Sequence, residues 1–197
     1  LLSKYSAPDD QGKRDKHIQR IKNSVKHLND ILEDFLSLGK LDEGRVESHI
    51  TAFDLKEIIS ETTDEMKGLL KKGQHFIFKH EGNIATVSDK KMLKNILINL
   101  ITNAIKFSDE EVPVEISSSA SGEDVSIAIT DHGIGISAED QEHLFSSFFR
   151  GANATNIAGT GLGLHIVKRY VDLLGGNVSL ESKLNTGTTV TVRIPIK

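Results

Sequence analysis

Apolar side chains at Ile18, Ile21, Val25, Leu28, Leu32 and Phe35 recur at steps of 3, 4, 3, 4 and 3. This is the heptad seam of a coiled coil or helical bundle, and it predicts one long helix over residues 13–38. Charged residues fill the other faces, and Gly39 takes the next seam position, where the pattern stops. An apolar seam needs something to bury it. Two arrangements are open: a helix packed on its own domain, or a bundle helix whose partners lie upstream or in a second copy of the chain. Residues 1–5 read as the tail of a preceding helix, and Pro8 with the Asp9-Asp10 pair suits a helix-to-helix connection.

Beyond a polar stretch at 39–49 the periodicity changes, which puts a boundary near residue 48: a helical unit over 1–48 and a second unit over 49–197. Ala52-Phe53 reads as a short strand, and Asp54 with Glu57 three residues on reads as a helix start. Strands are expected at 74–80 and 84–87, separated by a turn at Gly82-Asn83. Ser88-Asp89 opens a helix carrying Ile96, Leu97, Leu100, Ile101 and Ile105 to about Phe107. Alternating strands follow at 112–119 and 124–130, joined by a Ser-Gly turn. Two glycine-rich loops with a short helical region between them lead to a helix at 161–174. A hairpin over 176–182 and 188–196 turns at Asn185-Thr186-Gly187. This order predicts an α+β sandwich, a mixed sheet covered by helices on one face.

Composition narrows the picture modestly. The chain begins with Leu1 and so reads as a piece of a larger protein. With 38% hydrophobic and 26% charged residues it can bury a globular core. A net charge of -4 offers no electrostatic reason to expect nucleic acid. There is no cysteine, which excludes disulfides and thiolate metal sites. No apolar run reaches the ~18 residues of a membrane span, and no signal peptide is visible.

Three clusters carry chemistry. Asn99 and Asn103 project from one helix face, with Lys106 close to the same face. Asparagine is a mediocre helix former, so two on an apolar helix ask for a reason. Their carbonyl oxygens suit a hard cation such as Mg²⁺ and Lys106 suits phosphate, or else the amides simply hydrogen-bond inside the protein. The second cluster, Asp131-His132-Gly133-Ile134-Gly135, follows a strand, where a carboxylate can accept from an amine and glycines allow close approach. The third, Gly159-Thr160-Gly161-Leu162-Gly163, runs into an apolar helix whose N-terminal N–H groups suit phosphate. It is neither a Walker loop nor the dinucleotide fingerprint.

Taken in order, Asn-x-x-x-Asn, Asp-x-Gly-x-Gly and Gly-x-Gly-x-Gly resemble the N, G1 and G2 boxes of the Bergerat-fold superfamily, which includes gyrase, the mismatch-repair MutL proteins and the histidine kinases. Leu144, Phe145, Phe148, Phe149 and Arg150 resemble the F box of the histidine kinases, and the strand start at Thr186-Gly187-Thr188 resembles that family's last motif. The resemblance covers residues 52–197, and the helix at 13–38 is similar to the second helix of the dimerisation and phosphotransfer bundle. It implies ATP and Mg²⁺ as ligands. Asn103 would bind the metal with Asn99 in support, and Lys106 and Arg150 would face phosphate. Asp131 would accept from the adenine amino group, with Gly133 and Gly135 letting the base approach and Thr188 assisting. Gly159, Gly161, Leu162 and Gly163 would form the phosphate loop, next to a small, polar lid at 151–158.

The ATPase branches of that superfamily carry a glutamate where this chain has Asn99, and an amide is no general base near neutral pH. Phosphoryl transfer is therefore expected over hydrolysis, with a Bergerat-fold ATPase or a degenerate nucleotide-binding interaction module as alternatives. The family's acceptor histidine is followed by an acid and then a proline. Of eight histidines only His80 precedes an acid, and no proline follows. The acceptor is thus expected outside this chain. The resemblance further implies a response-regulator receiver domain as partner, homodimerisation through the bundle, and a cytoplasmic position with any membrane contact made by other parts of the protein.

Overall fold

A computed structural model describes residues 11–42, 48–155, 157 and 159–196. The expected helix tail and turn at 1–10 lie outside these residues. The long helix α1 (Gln11–Asp42) runs past Gly39 without a break. A helical glycine costs about 1 kcal/mol relative to alanine. Here the last turn is held from outside, because Leu38 packs on the core and Leu41 is buried. The seam itself stays exposed, with Leu28 at 63% and Phe35 at 60%. The helix therefore has two apolar faces: its lower end rests on the remainder of the chain, and its seam is uncovered.

Strand β1 (Ile50–Asp54) pairs antiparallel with β3 (Ala85–Asp89), Ala52 opposite Val87. Asp54 ends β1 and caps α2 (Leu55–Met66), accepting from the backbone N–H groups of Lys56 at 2.7 Å and Glu57 at 3.1 Å. Strand β2 (Phe76–Gly82) precedes β3 in sequence but does not pair with it. It lies parallel to β4 (Val114–Ser121) in a separate sheet. At Gly82 a φ of 89° turns the chain out of that sheet, and the Asn83 side chain then accepts from the Ala85 N–H.

The larger sheet adds β5 (Asp124–Asp131), β6 (Asn177–Lys183) and β7 (Gly187–Pro195), in the order β2-β4-β5-β7-β6. All its pairings except β2 with β4 are antiparallel. Burial alternates along the strands: Val114 and Ile116 on β4, Val125, Ile127 and Ile129 on β5, and Val190, Val192 and Ile194 on β7 point inward. Helices α2, α3 (Lys90–Phe107) and α5 (Gly163–Leu173) cover that face, and Leu93, Ile96, Leu97 and Ile101 of α3 are fully buried at its centre. The predicted mixed sheet with helices on one face is thus what forms. A single turn of helix, α4 (Ala138–Gln141), lies between the glycine loops. No helix among the described residues is long and apolar enough to cross a membrane.

Asp89 ties the smaller sheet to α3. Its carboxylate, buried, accepts from the Met92 N–H at 2.9 Å and from the His49 N–H at 2.7 Å. Two charge-assisted bonds to a buried group outweigh an exposed cap. We expect Asp89→Ala to lower unfolding free energy by roughly 2–3 kcal/mol and Asp54→Ala by only about 1 kcal/mol, read from urea titrations.

Candidate functional site

Helix α3 carries three asparagines, Asn95, Asn99 and Asn103, each one turn apart on one face. The Asn99 amide donates to the Asn95 carbonyl oxygen at 2.9 Å, which leaves its own oxygen toward the start of α5. A Cβ on Gly163 would sit 3.0 Å from that oxygen, so helix α5 approaches closely at this glycine. The Asn103 amide forms no hydrogen bond among the described residues, and it lines a cavity. Lys106 lies one turn on, its ammonium 5.3 Å from the centre of the Phe107 ring and directly beneath Gly159.

The end of α3 is held by residues far away in sequence. Lys71 donates to the carbonyl oxygens of Lys106, at 2.9 Å, and Ser108. Gln74 donates to those of Ile105 at 3.3 Å and Asp109 at 2.9 Å. A cation on otherwise unpaired carbonyls at a helix C-terminus is stabilising. The Ile134 N–H donates to the Phe107 carbonyl, seating the first glycine loop on the same turn.

That seating explains two glycines. A Cβ on Gly133 would lie 2.0 Å from the Phe107 oxygen, and one on Gly135, whose φ is 61°, would lie 2.0 Å from the Lys183 oxygen. Both glycines are thus required by the protein's own backbone, before any ligand is considered. Asp131, at the end of β5, is buried and accepts from the Gly133 N–H at 3.0 Å. Burial pushes its carboxyl up from the usual 3.8 to about 6, against the opposing pull of the Gly133 and Thr188 N–H groups and of nearby His132. His132 itself contacts Glu115 at 2.7 Å. Thr188 is buried beside Asp131 in the β5–β7 register, its hydroxyl 2.9 Å from that of Ser182.

A cavity of about 910 Å³ joins these groups, large enough for a nucleotide-sized ligand. Its walls include Asn99, Asn103 and Lys106 from α3, and Asp131, Gly135 and Thr188 from the sheet end. Gly159, Gly161, Gly163 and Arg150 close it from the other side. Leu162 differs, since its side chain is fully buried in the core and only its backbone belongs to the loop. Arg150 is exposed and donates to the carbonyl oxygens of Ala154 at 2.7 Å, Thr155 at 3.2 Å and Ile157. In this arrangement it braces the lid segment. That segment makes a short turn at Ala152–Ala154, with Asn153 donating to the Gly135 carbonyl at 2.8 Å. Residues 156 and 158 lie outside the described residues.

Sequence reasoning missed Asn95, Tyr170, Lys71 and Asp34, all of which line the cavity. Asn95 had a signal, because it precedes Asn99 by the same four residues that separate Asn99 from Asn103. Its amide donates to the Tyr170 hydroxyl at 3.2 Å. Lys71 and Asp34 arrive from remote segments and carry no local pattern. Among the described residues no cluster of three or more His, Asp or Glu could hold a metal. A cation here would be shared between an amide and a ligand's own oxygens. A buried carboxylate, a row of amides, one ammonium and the N–H groups opening α5 offer an acceptor for an amine at one end and donors for anionic oxygens at the other.

Residues 88–197 match the family described as histidine kinase-, DNA gyrase B-, and HSP90-like ATPase. The chain is 32% identical over 192 residues to the histidine protein kinase DivJ of Caulobacter vibrioides, covering 91% of this chain and 31% of DivJ. Full-length ShkA in complex with AMPPNP superposes with a TM-score of 0.80 at 24% identity, over 93% of this chain and 39% of that one. The histidine kinase ThkA in complex with response regulator protein TrrA superposes with a TM-score of 0.75 at 25% identity, over 100% of this chain and 55% of that one.

The raised Asp131 carboxyl has a measurable consequence. The folded chain holds this proton more tightly than the unfolded chain, so the associated stability is full below about pH 4 and is lost as pH rises to about 6. The loss is on the order of 3 kcal/mol. Urea unfolding of the natural chain and Asp131→Asn at pH 4 and pH 7 should show the variant gaining about that much, relative to the natural chain, at the higher pH. An equal difference at both values would refute the assignment.

Proposed function

Since the chain belongs to the histidine kinase-, DNA gyrase B- and HSP90-like ATPases, as the catalytic domain of a sensor histidine kinase, we propose that its cavity takes ATP with Mg²⁺. The γ-phosphoryl group would pass to a histidine outside this chain, for relay to an aspartate of a response-regulator receiver domain. The observation that carries this reading is the pairing of two ends in one cavity: a buried carboxyl at Asp131, and the unengaged Asn103 amide beside Lys106 and the start of α5.

The residues present fit a magnesium ion. Asn103 offers an amide oxygen with no protein partner among the described residues, and Mg²⁺ is commonly held by one or two protein ligands plus phosphates. Bound there, the ion would neutralise charge on the phosphate oxygens. Asp131, when ionised, accepts from the exocyclic amine of adenine, and Thr188 lies beside it. Lys106 and the N-terminus of α5 face the phosphates, with Gly159, Gly161 and Gly163 shaping the loop. Arg150 would join them only by leaving the lid carbonyls. Asn99 stands where a hydrolase would place a base. It cannot activate water, which favours transfer to a positioned acceptor over hydrolysis.

Residues 1–48 would then be the end of the dimerisation and phosphotransfer hairpin and 49–197 the ATP-binding domain. The exposed seam of α1 supports homodimerisation through that bundle. The match over the whole of this chain to a kinase bound to its response regulator supports the partner. Supply of ATP supports a cytoplasmic position.

Calorimetric titration with a non-hydrolysable ATP analogue tests the reading. Binding should be strengthened by Mg²⁺ in the natural chain, lose that Mg²⁺-dependent gain in Asn103→Ala, and fall below detection in Asp131→Ala. Because the amine needs the ionised carboxylate, affinity should be roughly tenfold weaker at pH 5 than at pH 7. Failure of the folded natural chain to bind the analogue at any pH would overturn the proposal.

A further inference from the structure

Asp34 stands one turn before Leu38 and two turns before Leu41, on the face of α1 that meets the rest of the chain. Its carboxylate accepts a hydrogen bond from the Thr160 hydroxyl at 2.7 Å, across 126 positions of sequence. The same hydroxyl accepts from the Leu162 backbone N–H at 3.1 Å. A hydroxyl has one proton, and committing it to Asp34 turns a lone pair toward Leu162. Leu162 immediately precedes α5, so this N–H is one of the donors at that helix's start that have no partner within the helix. Such donors are the ones an anionic phosphate uses. Asp34 and Thr160 both line the cavity, so α1 also puts a carboxylate into the wall of a site for polyphosphate.

We propose that Asp34 restrains the second glycine loop: through Thr160 it keeps a phosphate donor occupied, and the docked position of α1 thereby sets nucleotide affinity. Asp34 acts through another residue and is a positioning residue. The contact is autoinhibitory in sense, since undocking α1 frees the Leu162 N–H and withdraws a negative charge. This inference rests on the reading of the cavity as an ATP site. It goes beyond that reading by making the long helix a determinant of loop setting, and not only a surface for association.

The test compares the natural chain with Asp34→Ala, Asp34→Asn, Thr160→Val and the Asp34→Ala/Thr160→Val double variant. Each is titrated with a non-hydrolysable ATP analogue plus Mg²⁺ and, separately, with adenosine. Asp34→Ala should bind the analogue roughly fivefold to tenfold tighter while adenosine binding is unchanged. Asp34→Asn keeps an acceptor for Thr160 without the charge and should gain less. The gain in the double variant should fall short of the sum of the two single gains, because both act through the contact they share. A double-mutant cycle on urea unfolding without nucleotide should show non-zero coupling between the two positions. Zero coupling, an equal gain for adenosine, or unchanged or weaker analogue binding in Asp34→Ala would each overturn the inference. If neither the natural chain nor Asp34→Ala binds the analogue, the ATP reading falls and this inference with it; if both bind it alike, this inference falls alone.

Discussion

Where α3 ends, its last carbonyl oxygens are claimed by three groups from two other parts of the chain: the Lys71 ammonium, the Gln74 amide and the Ile134 backbone N–H. The helix terminus would otherwise leave those acceptors unpaired in a partly buried place. Satisfying them fixes the lateral position of α3 against β5 and the first glycine loop. Asn103 and Lys106 stand on that last stretch of helix, and Asp131 stands at the root of the loop. One knot of backbone hydrogen bonds therefore sets the distance between the end of the cavity suited to an amine and the end suited to phosphates. Gly133 belongs to the knot as much as to the site, since any side chain there would strike the Phe107 carbonyl.

A second constraint follows from the way burial is distributed around the cavity. Asp131 sits at the inner end of β5 under the sheet's own backbone, which raises the free energy of its charge and makes it a discriminating acceptor. Lys106 and Arg150 are less buried: Lys106 lies over the Phe107 ring, and Arg150 donates to lid carbonyls. The carboxylate end of the cavity is thus buried, and the cationic end lies nearer to solvent. That division suits phosphoryl transfer, where one half of the ligand must be held and the other must meet an acceptor.

Helix α1 joins these two levels. Its seam follows a strict heptad and remains uncovered, whereas Asp34, Leu38 and Leu41 on another face meet the remainder of the chain. A helix contacted on separate faces cannot shift to suit one without disturbing the other.

Much of this was legible in the residues alone. Alternation at β4 and β5, the cap at Asp54 and the apolar stripe of α3 are local patterns, and local patterns determine which segments become strands and helices. Members of all three polar clusters line the cavity, although Gly133 and Leu162 do not. Strand pairing was not local: β2 and β3 adjoin in sequence, yet each found its partner in a different sheet, because pairing is decided by which apolar faces can be buried together. The roles of Lys71, Asp34 and the Phe107 carbonyl were equally invisible, since each depends on a contact between segments tens of residues apart. The sequence by itself determined the elements and the chemistry available to the site. Only the tertiary structure decided which backbone groups that chemistry must share with the fold, because unpaired donors and acceptors exist only once the helices end against one another.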